Sequence, residues 1–291
     1  MIEAIVVRRV GGLYQMMDQE GNRYRGNSRG KNKEQGILIG DHVQIETEGG
    51  KSMIEKILPR RNELDRPTLA NVDQLILVFA YSQPALQREL LDKMLLQAEI
   101  HQIVPIIILQ KSDLTDREEV DCFMADYRLA GYTILQTSAL QDKGIQELRQ
   151  ILQGKISVFA GPSGVGKSSL LNCLYPNWKL EIGEISKKSQ RGKHTTRHAE
   201  LYGRLEDGLI ADTPGFYHLD LPLVEPRLLA SCFPEMRPAL GQCRFISCVH
   251  DKEPDCAVKQ LLAEGRIAPD RYATYLKFLT EMKDRERGLY S

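Results

Sequence analysis

The stretch Gly161-Pro162-Ser163-Gly164-Val165-Gly166-Lys167-Ser168 constrains this chain more than any other. It fits G-x-x-x-x-G-K-[ST] and stands between a strand-like run, Ile156–Ala160, and a helical run, Lys167–Leu174. Glycines let backbone N–H groups turn inward around a phosphate, and the helix N-terminus adds a partial positive charge. In such a loop Lys167 reaches the β- and γ-phosphates and the Ser168 hydroxyl ligates Mg²⁺, with Ser169 beside it. A strand–loop–helix unit of this kind requires a parallel sheet around it.

The flanking sequence supplies one. Val72–Tyr81 is a continuous apolar strand, and Pro84–His101 carries Leu86, Leu90, Leu91, Met94, Leu95 and Ala98 at helical spacing. Strand Ile103–Gln110, helix Glu118–Ala130, strand Tyr132–Gln136 and helix Ile145–Leu152 continue the alternation, and Leu201–Leu205 with Leu209–Ala211 reads as a hairpin. Strands alternating with helices predict a parallel sheet covered on both faces. The first sixty or so residues differ: short runs at Ala4–Val7, Leu13–Met17, Arg23–Arg25 and Val43–Ile45, joined by Gly-rich turns, predict a small β-barrel, either OB-type or SH3-like.

Four further motifs bear on the ligand. Gln110-Lys111-Ser112-Asp113 resembles the guanine-reading N-K-x-D, in which the carboxylate accepts two hydrogen bonds from one edge of guanine and repels adenine. Thr137-Ser138-Ala139 suits the loop that supports the base. Asp212-Thr213-Pro214-Gly215 fits D-x-x-G, with Asp212 on Mg²⁺ and the Gly215 N–H on the γ-phosphate. Thr195 and Thr196 are candidates to close over both. Their order is unusual, because the base loops precede the phosphate loop and its switches.

The chain resembles the circularly permuted ribosome-small-subunit-dependent GTPases, bacterial factors of late small-subunit assembly. Besides the nucleotide motifs, the resemblance rests on Arg61–Pro67, Ala70–Asp73, Gly192–Arg197 and the cluster Cys243, Cys248, His250 and Cys256, and it covers essentially the whole chain. It implies an OB-type, RNA-binding barrel over 1–64, a permuted α/β P-loop GTPase domain over 65–222 and a zinc-binding, mostly helical domain over 223–291. It also implies the small subunit and its rRNA as partner, alongside other assembly factors, and a monomer. His194 occupies the position of a histidine that family members carry in the switch, which makes it a catalytic candidate; an RNA contact is the other reading. Phe216, where Ras-like enzymes carry a water-orienting Gln, cannot orient water, so slow intrinsic turnover stimulated by the subunit is expected. Gln110 departs from the family's Asn, and a weakened nucleotide affinity is the expectation. The competing readings are a GTP-switched RNA-binding module with negligible hydrolysis and a P-loop kinase.

Cys243, Cys248, His250 and Cys256 fall within fourteen residues and form a donor set for a tetrahedral structural metal, zinc first, with copper and iron open on ligand type alone. Cys122, Cys173 and Cys232 are scattered, and no disulfide framework is expected. Lys+Arg and Asp+Glu both number 39, so net charge does not argue for nucleic acid. Local patches do: Arg23, Arg25, Arg29, Lys31 and Lys33 form one without an acid, and Glu184–Arg204 carries six cations against two acids. Apolar runs such as Leu75–Tyr81 fall far short of the ~18–20 residues that cross a bilayer. Arg8 and Arg9 follow the apolar N-terminal residues, the reverse of a secretory signal, so a cytoplasmic protein is expected.

Overall fold

The computed structural model describes residues 1–30, 36–65, 68–114, 117–176, 200–211 and 224–289. The N-terminal strands β1 (Ile2–Val10), β2 (Leu13–Met17), β3 (Arg23–Ser28), β4 (His42–Glu48) and β5 (Lys51–Ile57) close into a barrel in the order β1-β2-β3-β5-β4. β1 pairs antiparallel with both β2 and β4, and β3 runs parallel to β5, the pairing of an OB fold. Val6, Met16, Val43, Ile45 and Ile54 fill its interior without exposure.

A short hairpin, β6 (Glu63–Asp65) and β7 (Thr68–Ala70), leads into the sheet. The residues on either side of it lock barrel to sheet. Asn62 exchanges both hydrogen bonds with the backbone of Val72, while Asn71 accepts from Arg61 N–H and donates to the Gly40 carbonyl. Asp73 pairs with Arg61 through one oxygen (2.7 Å) and accepts from Ile156 N–H through the other (2.8 Å).

The sheet contains β8 (Gln74–Ala80), β9 (Val104–Gln110), β10 (Thr133–Gln136), β11 (Ile156–Ala160), β12 (Leu201–Arg204) and β13 (Gly208–Ala211), in the order β10-β9-β8-β11-β13-β12. All pairings are parallel except β12–β13. Side chains alternate across the wholly buried β8. Leu75, Leu77 and Phe79 pack with α1 (Arg88–Ile100) and α2 (Arg117–Leu129). Ile76, Val78 and Ala80 pack with α3 (Ile145–Leu152) and α4 (Lys167–Leu174). The helix expected from Pro84 begins instead at Arg88; residues 81–87 form a loop in which Leu86 N–H donates to Tyr81 O and the Gln83–Pro84 peptide is cis.

Beyond residue 224, two 3-10 turns (Leu229–Cys232 and Pro234–Ala239), α5 (Ala257–Ala263) and α6 (Pro269–Leu289) surround a separate core that includes Phe233, Met236, Val258, Tyr275 and Phe278. Leu96 of α1 joins that core, so one helix serves both units. No helix among the described residues is long and apolar enough to cross a membrane.

At this seam Arg271 of α6 is buried to 3% exposure, bonded to Asp92 of α1 and to Glu235 (2.8 Å), with the rings of Tyr127, Tyr132 and Phe233 around its guanidinium. Around it lie the outer pairs Arg88–Asp270, Glu89–Lys277 and Glu99–Arg237. Exposed pairs contribute little; the buried one matters because removing its cation strands two carboxylates. Arg271→Ala is expected to destabilise the seam by about 3–5 kcal/mol, read as a fall in the denaturant midpoint. Arg271→Lys, without the planar fork that reaches both acids, should fall between the two.

Candidate functional site

The loops after β11, β9 and β10 meet at the carboxyl edge of the sheet, where open α/β folds place their ligands. The phosphate-loop candidate begins at Gly161, whose φ is +137°. A Cβ there would lie 1.9 Å from Val78 O, so only glycine lets β11 leave the sheet this close to β8. Val165 is buried and anchors the loop, while Ser163, Gly164, Ser168 and Ser169 are exposed. Lys167 Nζ folds over the loop and donates to Gly161 O and Pro162 O, each at 2.7 Å.

The two loops at the other side are tied to it and to one another. Gln110 is buried at the end of β9; its Oε1 accepts from Thr137 Oγ1 at 2.7 Å. The other end of that amide faces the phosphate loop, since a Cβ on Gly166 would meet Gln110 Cγ at 3.1 Å and Nε2 at 3.3 Å. The extra methylene of Gln relative to Asn is thus taken up between Thr137 and Gly166. Lys111, at φ +63°, sends Nζ to Gly164 O (2.8 Å) and Gln83 O (2.6 Å). Ser138 Oγ donates to Asp113 Oδ1 at 2.5 Å and accepts from Gln141 N–H. Ser112 N–H donates to Thr137 O, and Cys173 Sγ on α4 reaches Ala139 O at 3.4 Å.

Gln110, Lys111, Ser112, Asp113, Ser138, Ala139 and the whole run from Gly161 to Ser169 therefore come together on one rim. His194, Thr195, Thr196, Asp212, Gly215 and Phe216 lie outside the described residues. Sequence reasoning missed the loop 81–87, whose Gln83 carbonyl holds Lys111; the Gln-Pro dipeptide directly after an apolar strand was its signal.

The second candidate site is in the C-terminal unit. His250 Nδ1 lies 3.5 Å from Cys243 Sγ and 3.4 Å from both Cys248 Sγ and Cys256 Sγ, and Cys243 Sγ to Cys256 Sγ is 3.9 Å. A tetrahedral ion with metal–sulfur bonds of about 2.3 Å and metal–nitrogen bonds of about 2.0 Å has edges of about 3.8 Å (S–S) and 3.5 Å (S–N). The donor set fits such an ion. Burial lowers the His250 pKa, which favours the neutral, metal-binding imidazole, and pushes the Cys248 thiol up to about 12, so ionisation there needs a cation. Tyr272 and Tyr275 hydroxyls fix the cluster's backbone through His250 O (2.6 Å) and Val249 O (2.7 Å).

An OB barrel followed by a P-loop sheet whose base loops precede its phosphate loop is the architecture of a circularly permuted GTPase. The RsgA GTPase family model matches residues 57–222, and the chain belongs to that family. It is 45% identical over 290 residues to a small ribosomal subunit biogenesis GTPase RsgA of Moorella thermoacetica, covering 99% of each chain. Among solved structures, YjeQ from Thermotoga maritima is similar with TM-score 0.84 and 36% identity, over 97% of this chain and 98% of that one. The circularly permuted GTPase YloQ is similar with TM-score 0.83 and 34% identity, over 98% and 96%.

Because the metal donors lie inside the small C-terminal core, metal removal is expected to unfold that unit first. Limited proteolysis after chelation should cut residues 224–289 while the sheet stays resistant. Equal resistance with and without metal would contradict a structural role.

Proposed function

We propose that this chain hydrolyses GTP to GDP and phosphate while bound to the small ribosomal subunit, assisting its late maturation. The observation that supports this best is the union of base loop and phosphate loop at one rim: Gln110 spans from Thr137 to Gly166, and Lys111 reaches Gly164. A kinase for a small acceptor has no use for a guanine-reading carboxylate so closely tied to the phosphate loop.

In this reading Asp113, oriented by Ser138 through Oδ1, accepts the guanine edge, and Ser112, Ser138 and Ala139 border the base. Gln110 and Lys111 hold the base loop against the phosphate loop. The backbone of Gly161, Pro162, Ser163, Gly164, Val165 and Gly166 wraps the β-phosphate, Lys167 turns from the loop carbonyls to the β/γ-oxygens, and Ser169 borders the phosphates beside Ser168. Ser168 and Asp212 hold Mg²⁺, which supplies charge neutralisation on the phosphates. Thr195, Thr196 and Gly215 sense the γ-phosphate, and His194 is the candidate to orient water. Hydrolysis then rests on positioning and charge stabilisation rather than covalent chemistry. Cys243, Cys248, His250 and Cys256 hold one structural zinc. Residues 1–64, 65–222 and 223–291 act as barrel, GTPase and zinc units of a monomer that works in the cytoplasm, and the nucleotide state governs association with the subunit and release of other assembly factors.

Asp113→Asn is expected to shift preference from GTP toward xanthosine triphosphate, because xanthine bears an oxygen where guanine bears its amine. Competition binding measures it, and an unchanged preference would remove this loop from base reading. GTP turnover with purified small subunits, with large subunits as the control, tests the partner: stimulation by the small subunit alone is the expected result.

Strand register supports an rRNA face on the barrel. Arg25 lies beside Gln15 and Gln15 beside Arg8 across β3, β2 and β1, and Arg23 is exposed on the same strand as Arg25; Arg8 is held by Glu200 at 3.2 Å, which leaves Arg23 and Arg25 to carry the face. Arg29, expected to join them, is instead held by Glu55 at 2.8 Å, with Glu46 at 4.0 Å; Lys31 and Lys33 lie outside the described residues. Replacing Arg23 and Arg25 together by Ala should weaken subunit binding, lower its salt slope by about one to two and leave intrinsic turnover unchanged. Sedimentation with subunits across a salt series reads both binding quantities.

A further inference from the structure

The turn between the first two metal-ligand positions ends in an apolar tip. Ile246 is fully exposed and Phe245 is exposed beside it, whereas Cys243, Cys248 and Val249 pack against the C-terminal core. This exposure does not come from a slack loop. Its two ends are cysteines of the metal cluster, Cys248 N–H donates to Phe245 O at 3.1 Å, and Arg244 N–H donates to Asp255 O at 3.3 Å. The Arg244 guanidinium lies over the Phe245 ring and pairs with the Asp255 carboxylate at 2.9 Å. The backbone therefore holds Ile246 wholly out in water, with Phe245 beside it covered in part by the Arg244 guanidinium.

The surrounding charge selects the partner. Residues 241–256 contain Arg244 and Lys252 as cations against Asp251, Glu253 and Asp255. Arg244 is already committed to Asp255, and Glu253 accepts from the N–H groups of Val249 and Asp251. Such a surface has one cation not held by a carboxylate, Lys252, exposed between Asp251 and Glu253, and so offers little to a phosphate backbone, which binds through several unpaired cations. It suits an apolar pocket with a basic rim, as on a cationic protein.

We propose that Phe245 and Ile246 form a docking knob that inserts into an apolar pocket on a basic protein of the small ribosomal subunit. This rests on the subunit reading above and adds to it a protein contact made by the metal-bound unit, distinct from the rRNA face of the barrel.

The test places photoreactive p-benzoylphenylalanine at position 246, irradiates the full chain on purified small subunits, and identifies the cross-linked species by mass spectrometry. A cross-link to a ribosomal protein is expected. Cross-linking to rRNA, to a second copy of this chain or to nothing, with the subunit demonstrably bound, would overturn the proposal. In parallel, Ile246→Asp should co-sediment with subunits about tenfold more weakly or worse, as expected for losing one buried aliphatic side chain. Ile246→Leu should restore binding, and metal content and intrinsic GTP turnover should match the wild type in both. If Ile246→Asp binds as tightly as wild type, the knob is refuted while the subunit reading stands. If the wild type itself does not co-sediment, the subunit reading fails and this inference fails with it.

Discussion

The parallel pairing of β8 with β11 is the constraint on which the nucleotide rim depends. Their strands are far apart in sequence, yet Ser157 to Ala160 run in register with Gln74 to Leu77. Gly161 then passes so close to Val78 O that no side chain fits. That one approach sets the height of the phosphate loop above the sheet edge. Because β9 pairs with the other side of β8, the same register fixes where Gln110 and Lys111 emerge. The amide of Gln110 and the ammonium of Lys111 close a gap whose width the sheet has already decided. Permuting the chain leaves this untouched, since hydrogen-bonded neighbours define the site and chain order does not.

Much of the rim was legible because its chemistry demands particular residue types at short spacing. A phosphate loop needs its glycines and lysine within eight positions, and a tetrahedral metal needs its donors within a short excursion of chain, so both could be read directly. Less local features were not. β5 has Ile54 and Ile57 as its only strongly β-forming apolar residues, with Ser52 occupying an inward position, so its alternation is faint. The hairpin β6–β7 is three residues a side, below the length at which a pattern forms. Residues 84–87 read as the start of the following helix because Leu86 continues its apolar spacing; in the structure Leu86 packs on the core without being helical. The Asp92–Arg271–Glu235 cluster joins residues up to 179 positions apart, and no local pattern in the chain announces it.

Helix α1 gives these separate pieces a physical relation. Its Leu91, Met94, Leu95 and Ala98 belong to the core under the sheet, whereas Leu96 belongs to the core of the C-terminal unit. The loop that introduces this helix carries the Gln83 carbonyl on which Lys111 rests. A shift of Lys111 would therefore act at the helix's N-terminal end, and the buried Arg271 fastens its middle to the C-terminal unit. Buried ion clusters tolerate little sliding, because each ångström of separation in a dry interior costs more than it does in water. Such a seam moves as a body or breaks. With Phe245 and Ile246 held rigidly beyond it, the C-terminal unit has the mechanical character of a fixed arm on the nucleotide-binding sheet, and any reorientation of the rim has to carry that arm along.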